Sequence, residues 1–444
     1  MYSHGRNELA LAPQRKPTLS QFVRRVAILS LHTSPLVQPG TGDGGGMNVY
    51  VREFVSAMAQ AGLKCRVYVR RWADDLPEIV DVEPGFEVVH VPVGPVDASK
   101  EELEGLVGPF ASWVAEDFAD FKPDVIHANY WLSGVAGQAL KRMVDLPLVT
   151  TFHTLARVKA ESGDPEPERR AEAEAGVMAC ADAVLANCVP EAEQLVQFYN
   201  ADPDRIEIVP PGVDQAFFSP GHQGGARWAV DADDRPLLLF VGRIQPLKGV
   251  DVAVQTLAAI ERTDARLWIV GGASGAAGDA EVERVRALIS ELGVEDRVEF
   301  KPPIPHHLLS TYYRAADVVL VPSRSESFGL VALESAACGV PVVASAVGGL
   351  LTLVEHGHTG YLVESRDPLE YAAWVDAILA DPVLARRLSV SAAAMARGYT
   401  WSTSAARLRR LFEDLTQGPL TPCNEPTLEI GLIGAEHDGH STVG

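Results

Sequence analysis

The sequence predicts an α/β protein of two doubly wound, parallel-sheet domains that face each other across a cleft. Three observations predict it. Short apolar runs alternate with helix-length segments along most of the chain, as expected of parallel strands covered by helices on both faces. That pattern starts at Val26, breaks at Pro210-Pro211-Gly212 and restarts at Leu237. The 444 residues leave room for two domains of ordinary size.

Residues 1–24 carry Arg6, Arg15, Lys16 and Arg24 and two prolines, with no apolar run, and read as a flexible segment without a signal sequence. The first strand, Val26 to Leu31, stops in a Pro/Gly-rich loop from Pro35 to Gly46, and a helix begins near Met47. Further strands are predicted at Cys65–Val69, Glu87–Val91, Val125–His127, Leu148–Phe152, Ala183–Ala186 and Ile206–Val209. They make residues 25–214 the N-terminal domain, with residues 210–220 as the hinge. Residues 215–401 form the second domain, with strands at Leu237–Val241, Leu267–Val270, Val298–Phe300, Val318–Val321 and Val342–Ala344 and helices such as Glu281–Leu292. In 402–418, Ala405, Leu408, Leu411 and Phe412 share one helical face. That face needs a domain to bury it, and the N-terminal domain is the candidate. Residues 419–444 hold four acidic side chains and no Lys or Arg, which reads as a disordered acidic tail.

The 38 basic against 59 acidic side chains leave a formal charge of −21. A broad basic face for nucleic acid or anionic lipid is excluded, though a local basic pocket is not. Cys65, Cys180, Cys188, Cys338 and Cys423 show no metal-ligand spacing and read as buried thiols in a reducing compartment, which points to the cytoplasm. The apolar runs are strand-sized, so no stable membrane association is expected.

Several segments have the residues for chemistry. The loop from His32 to Asn48 is rich in Gly and Pro; after a strand and before a helix it suits close backbone approach to a phosphate, and a flexible surface loop is the alternative. Arg243 and Lys248, five apart and flanked by glycines at a strand end, suit a leaving diphosphate, or else are two solvated cations. Glu326 and Glu334, eight apart, suit sugar or ribose hydroxyls, or else lie exposed on a helix. Gly348-Gly349 offers a second phosphate-approach turn. His127 and His153 each follow a strand, either in the cleft or as satisfied structural histidines. His306-His307 lacks further ligands for a metal and reads as loop surface.

Taken together, Gly242-Arg243 through Lys248-Gly249, Glu326-Ser327-Phe328-Gly329 through Glu334, and Gly348-Gly349 resemble the retaining, nucleotide-sugar-dependent glycosyltransferases of family 4. Those enzymes have the GT-B fold, and the resemblance covers about residues 25–418. The segments His32 to Tyr50, Ser99-Lys100, Tyr130 to Gly134 and His153 to Lys159 are similar to the inositol-phosphate glycosyltransferases of mycothiol biosynthesis. Those enzymes move N-acetylglucosamine from its UDP derivative to 1D-myo-inositol 3-phosphate. The resemblance implies that Lys100, Tyr130, Thr154 and Arg170 grip the acceptor phosphate. It implies that His32, Asp43, Asn48 and the Gly46 backbone frame acceptor and sugar, with Gln38 and Pro39 on the donor side. His153 would approach the donor sugar, and Arg243 and Lys248 would hold the diphosphate. Glu326 would take the sugar hydroxyls, Glu334 the ribose and the backbone near Ile304 the uracil. It further implies front-face attack, with the departing UDP taking the acceptor proton.

The chain departs from that pattern in places. Thr150 replaces a histidine, Gly44 replaces an alanine, and a shorter segment between Lys159 and Arg170 makes Arg169 an alternative to Arg170. A Mg2+ site of the family would fall at Tyr313, Arg314 and Ala316, but Val340 stands at its threonine position. No cofactor is expected as a requirement, and a homodimer is compatible with the resemblance. Rival readings are a sucrose-phosphate-synthase-like transferase to a hexose phosphate, a GT-B-fold UDP-sugar 2-epimerase, and a catalytically dead binding module.

Overall fold

The computed structural model describes residues 22–40, 42, 44–99, 102–273 and 278–423. The first sheet comprises β1 (Arg25–Leu29), β2 (Lys64–Arg70), β3 (Ile79–Glu83), β4 (Phe86–Val91), β5 (Val125–Asn129), β6 (Leu148–Thr151), β7 (Ala183–Ala186) and β8 (Ile206–Ile208). Their order is β3-β4-β2-β1-β5-β6-β7-β8. The second comprises β9 (Leu237–Val241), β10 (Arg266–Val270), β11 (Val298–Lys301), β12 (Val318–Val321), β13 (Val342–Ser345) and β14 (Gly360–Val363), in the order β11-β10-β9-β12-β13-β14.

Alternation along each central strand builds a core on both faces. Ala27 and Leu29 of β1 enter one apolar cluster, and Val26 and Ile28 enter another. In β9, Leu237 and Leu239 point one way and Leu238 and Phe240 the other. Helices cover all four faces, which is why the central strands read as unbroken apolar runs.

Two strands escape the sequence reading. β3 (Ile-Val-Asp-Val-Glu) is a partly exposed edge strand and pairs antiparallel with β4, so the first sheet is mixed rather than wholly parallel. An edge strand has only one face to bury and needs no apolar run. β14 (Gly-Tyr-Leu-Val) is four residues long and parallel to β13.

The C-terminal helix Trp401–Gln417 puts Trp401, Ala405, Leu408 and Phe412 into the cluster of Val26, Ile28 and Phe54. It therefore packs on the N-terminal half although it follows the second sheet. The two connections between the halves run side by side: Val213 N–H donates to Tyr399 O at 3.1 Å, and Ser404 Oγ donates to Pro210 O at 2.6 Å.

The start of the acidic tail is ordered, contrary to expectation. Thr421 N–H donates to Asp182 Oδ1 at 2.7 Å, and Cys423 forms a disulfide with Cys180, their Cα atoms 4.6 Å apart. The reading of five buried thiols is thereby corrected to three, Cys65, Cys188 and Cys338. The bonded pair is 243 residues apart in sequence, a distance that local spacing rules do not see. The rest of the tail, residues 424–444, and the N-terminal residues 1–21 lie outside the described residues. Among the described residues, no helix is long and apolar enough to cross a membrane.

Candidate active site in the interdomain cleft

Strand order reverses at β1, between β2 and β5, and again at β9, between β10 and β12. Loops leaving the carboxyl ends of strands at such points diverge and open a crevice. Here the two crevices face each other and merge into one cavity of about 930 Å3, lined from both halves.

On the C-terminal wall, β9 ends at Val241 and delivers Arg243 and Lys248 to the cavity. A short 3-10 turn, Pro246–Lys248, ends at Gly249 with φ +72°, and a Cβ there would lie 2.1 Å from the Pro322 carbonyl oxygen. Glycine thus lets the Lys248 turn rest directly on the loop after β12. In consequence Lys248 Nζ sits 2.7 Å from Glu326 Oε2, and Ser323 Oγ donates to the same oxygen at 3.2 Å. Gly348-Gly349 does not line the cavity. Its Gly349 N–H donates to the Glu326 carbonyl at 2.9 Å, so this turn braces the Glu326 loop from behind instead of approaching a phosphate.

Glu334, on the helix Leu330–Ala337, is 5% exposed. Its Oε1 lies 2.7 Å from His306 Nε2 and its Oε2 accepts from Tyr313 Oη at 2.8 Å. The surface reading of His306-His307 is therefore corrected for one of the pair: His307 is exposed, whereas His306 opens the helix His306–Ala315 and lines the cleft. Burial pulls the His306 imidazole down, but Glu334, Glu53 and Asp214 outweigh it and hold its pKa above the ordinary value. Ile304 also lines the cavity.

The N-terminal wall carries His32, Pro39, Gly46, Tyr130, His153, Thr154 and Arg170. The His32 and Tyr130 rings lie 4.2 Å apart. Tyr130 (φ +77°) and His153 (φ +62°) adopt left-handed backbone just beyond β5 and β6, strain of the kind that collects at ligand sites. His153 Nε2 lies 2.9 Å from Asn129 Oδ1; facing a carbonyl oxygen, that nitrogen carries the proton. Burial, helped by His127, lowers its pKa to about 3, so the ring is neutral at physiological pH. His127 lies beneath the cleft with Nε2 2.9 Å from Thr151 Oγ1, and Thr150 Oγ1 is buried there without a hydrogen-bond partner.

Arg170 is 3% exposed and enclosed. Its Nε donates to Glu174 Oε1 at 2.8 Å, Nη1 pairs with Glu166 Oε1 at 2.9 Å, and Nη2 donates to Thr154 Oγ1 at 3.0 Å. The alternative, Arg169, points to Glu104 at 3.1 Å. Asn48 and Gln38 do not line the cavity. Asn48 Oδ1 accepts from Gly45 N–H at 2.8 Å and Nδ2 donates to Ser34 O at 2.7 Å, fixing the glycine loop. Gln38 Nε2 donates to Pro303 O at 2.9 Å, a contact that joins the two halves. Asp43 and Lys100 lie outside the described residues.

Beyond His306, five charged cleft residues were missed: Lys159, Asp164, Glu166, Glu191 and Arg324. Lys159 and Arg324 add cations, and Glu191, with its pKa pushed up to about 7 by burial, adds a carboxyl group. Glu191 directly follows a helix-opening Val-Pro, where it reads as a routine first-turn acid. Tyr313, Arg314 and Ala316 do not fit a divalent cation. Tyr313 Oη is spent on Glu334, the Arg314 guanidinium donates to Phe217 O and Ser219 O, and Ala316 O accepts from Gln223. These side chains offer no anionic oxygen.

Family models for "Glycosyl transferase 4-like domain" and "Glycosyl transferases group 1" match residues 45–212 and 227–395. Relatives named D-inositol 3-phosphate glycosyltransferase include those of Xylanimonas cellulosilytica, 46% identical over 88% of this chain and 97% of its own length, and Acidothermus cellulolyticus, 46% identical over 88% and 90%. Among solved structures, sucrose-phosphate synthase from Thermosynechococcus elongatus matches with TM-score 0.83 and 31% identity over 88% of this chain and 99% of that one. Anabaena HepE in complex with UDP and glucose matches with TM-score 0.73 and 20% identity, over 88% and 100%. Two facing α/β domains, a cleft at both switch points and this degree of identity lead to one conclusion: the chain is a GT-B glycosyltransferase and belongs to the glycosyltransferase family that contains the D-inositol 3-phosphate glycosyltransferases.

Proposed function

We propose that the enzyme transfers N-acetylglucosamine from UDP-N-acetylglucosamine to 1D-myo-inositol 3-phosphate with retention of anomeric configuration. One observation carries the reading. A chain of net charge −21 gathers Arg243 and Lys248 on one wall of its cleft and Lys159 and Arg170 on the other, as a reaction between two phosphorylated small molecules requires. The relatives' shared name supports the acceptor.

In this reading Arg243 and Lys248 stabilise the diphosphate as it departs. Lys248 has three N–H donors; one holds Glu326, aligning that carboxylate for sugar hydroxyls, and the others face the phosphates. Glu334, held by His306 and Tyr313, keeps lone pairs for the ribose. The neutral His153 orients the sugar as a dipole and not as an acid. The leaving UDP oxygen takes the acceptor proton, and the protein contributes position and field. Tyr130, Thr154 and Arg170, with Lys100, receive the acceptor phosphate, while His32 and the Gly46 backbone frame its ring.

A second reading, transfer to a hexose phosphate, is favoured by the 31% identity to the sucrose-phosphate synthase. A screen of UDP and GDP sugars against inositol 3-phosphate and fructose 6-phosphate, read as product mass and anomeric configuration, separates the two. Product with fructose 6-phosphate alone, or an inverted linkage, overturns the first proposal.

A further inference from the structure

Among the described residues of the acceptor wall, the cations Lys159 and Arg170 are already held by carboxylates. Arg170 already has a fully buried counter-ion, Glu174, whose other oxygen accepts from Ala156 N–H at 2.9 Å and from Tyr199. A second carboxylate, Glu166, lies on the cleft side of the same guanidinium at 2.9 Å and pairs also with Lys159 Nζ, while Asp164 takes Lys159 at 2.9 Å. Among the described residues, Lys159 and Arg170 thus share three carboxylates, and a phosphate that is to pair with both must take the place of one of them. The three acids differ in exposure. The Glu174 side chain is wholly buried, whereas Glu166 is 19% exposed on a turn, Ser162 to Pro167, between two helices.

We propose that Glu166 is an internal stand-in for the acceptor's phosphate, a carboxylate that must be displaced on binding. Glu166 thereby raises the apparent dissociation constant of every anion that needs its place, by one common factor.

The inference rests on the acceptor's phosphate binding at this wall. It is tested on the full chain with UDP saturating the opposite wall, by titrating inorganic phosphate and methanesulfonate against the melting temperature of the wild type and of Glu166→Gln. The expected result is a folded variant that binds phosphate about tenfold more tightly, with a gain of the same factor for methanesulfonate. A folded variant with unchanged or weaker phosphate binding overturns the proposal. So does a Glu166→Gln chain that fails to fold, because a displaceable carboxylate is not one on which the fold depends. The two readings fail separately. If phosphate binds neither protein while inositol 3-phosphate is still glycosylated, the stand-in role is lost and the function stands. If Glu166→Gln gains phosphate affinity yet no phosphorylated polyol is a substrate, the function is lost and the stand-in role stands.

Discussion

The two walls of the cleft solve the same problem, holding an anion, with opposite architectures. On the C-terminal wall Lys248 pairs with Glu326 at a partly exposed site, their side chains 25% and 17% accessible, on loops fixed by backbone contacts such as Gly249 against Pro322. On the N-terminal wall Arg170 lies inside the protein between Glu174 and Glu166. The first cation is carried by the fold and the second is part of it. Removing each should therefore damage different things.

Arg170→Met is the sharpest test. It leaves Glu174, wholly buried, without its cation, and breaking a buried pair on one side costs about 3–5 kcal/mol. Burial already raises the Glu174 pKa against the pull of Arg170. Without the guanidinium it rises further, so the folded variant regains stability as pH falls through that raised value. Urea denaturation at pH 7.5 and pH 5.5 reads both effects. A loss below about 1 kcal/mol would make Arg170 a ligand-binding group alone and erase the contrast.

Lys248→Ala should do the reverse. The fold stays intact, and turnover drops about 10²–10³-fold, or about 2.7–4 kcal/mol of leaving-group stabilisation. Circular dichroism with steady-state kinetics checks it, and near-normal turnover in a folded variant refutes the diphosphate role.

The same contrast governs what the sequence reveals. Arg243, Lys248, Glu326 and Glu334 sit on two short segments whose spacing survives folding, so a linear reading finds them together. The N-terminal wall is collected from the ends of β1, β5 and β6 and from the helix Glu168–Cys180. No local pattern marks Glu166 as the partner of Lys159 and Arg170, and only family resemblance singled out Thr154. His306 looked like surface because its partner Glu334 is 28 residues away. Asn48 was named from resemblance alone; its side chain caps the start of its own helix at Gly45, a local contact, and reaches Ser34, 14 residues back. The central strands were legible since burial on both faces writes an apolar run into the sequence; β3 was not, because a sheet edge imposes no such run.

Cys423→Ser probes the support behind the N-terminal wall. The disulfide clamps residues 419–423 to Cys180, the last residue of the helix whose first turn holds Arg170. Its loss should cost about 2–4 kcal/mol, and wild type in reductant should unfold at the same denaturant concentration as the variant. If the variant matches oxidised wild type, the N-terminal wall draws no stability from the tail.

His306 offers the smallest and most diagnostic effect, because it lies where the walls meet. It belongs to the second half, yet Glu53, from the helix Gly46–Gln60, and Asp214, from the crossing, help hold its proton. A folded-state pKa above the ordinary 6.5 means that stabilisation by the charged ring is complete below pH 6.5 and is lost as pH rises through the raised value. The melting gap between wild type and His306→Gln should thus be widest near pH 6, at about 1 kcal/mol, and narrow toward pH 9. A gap that stays constant would mean that His306 acts through its hydrogen bond to Glu334 and carries no charge between the halves. The junction would then be held by contacts such as Gln38 to Pro303, with no electrostatic part.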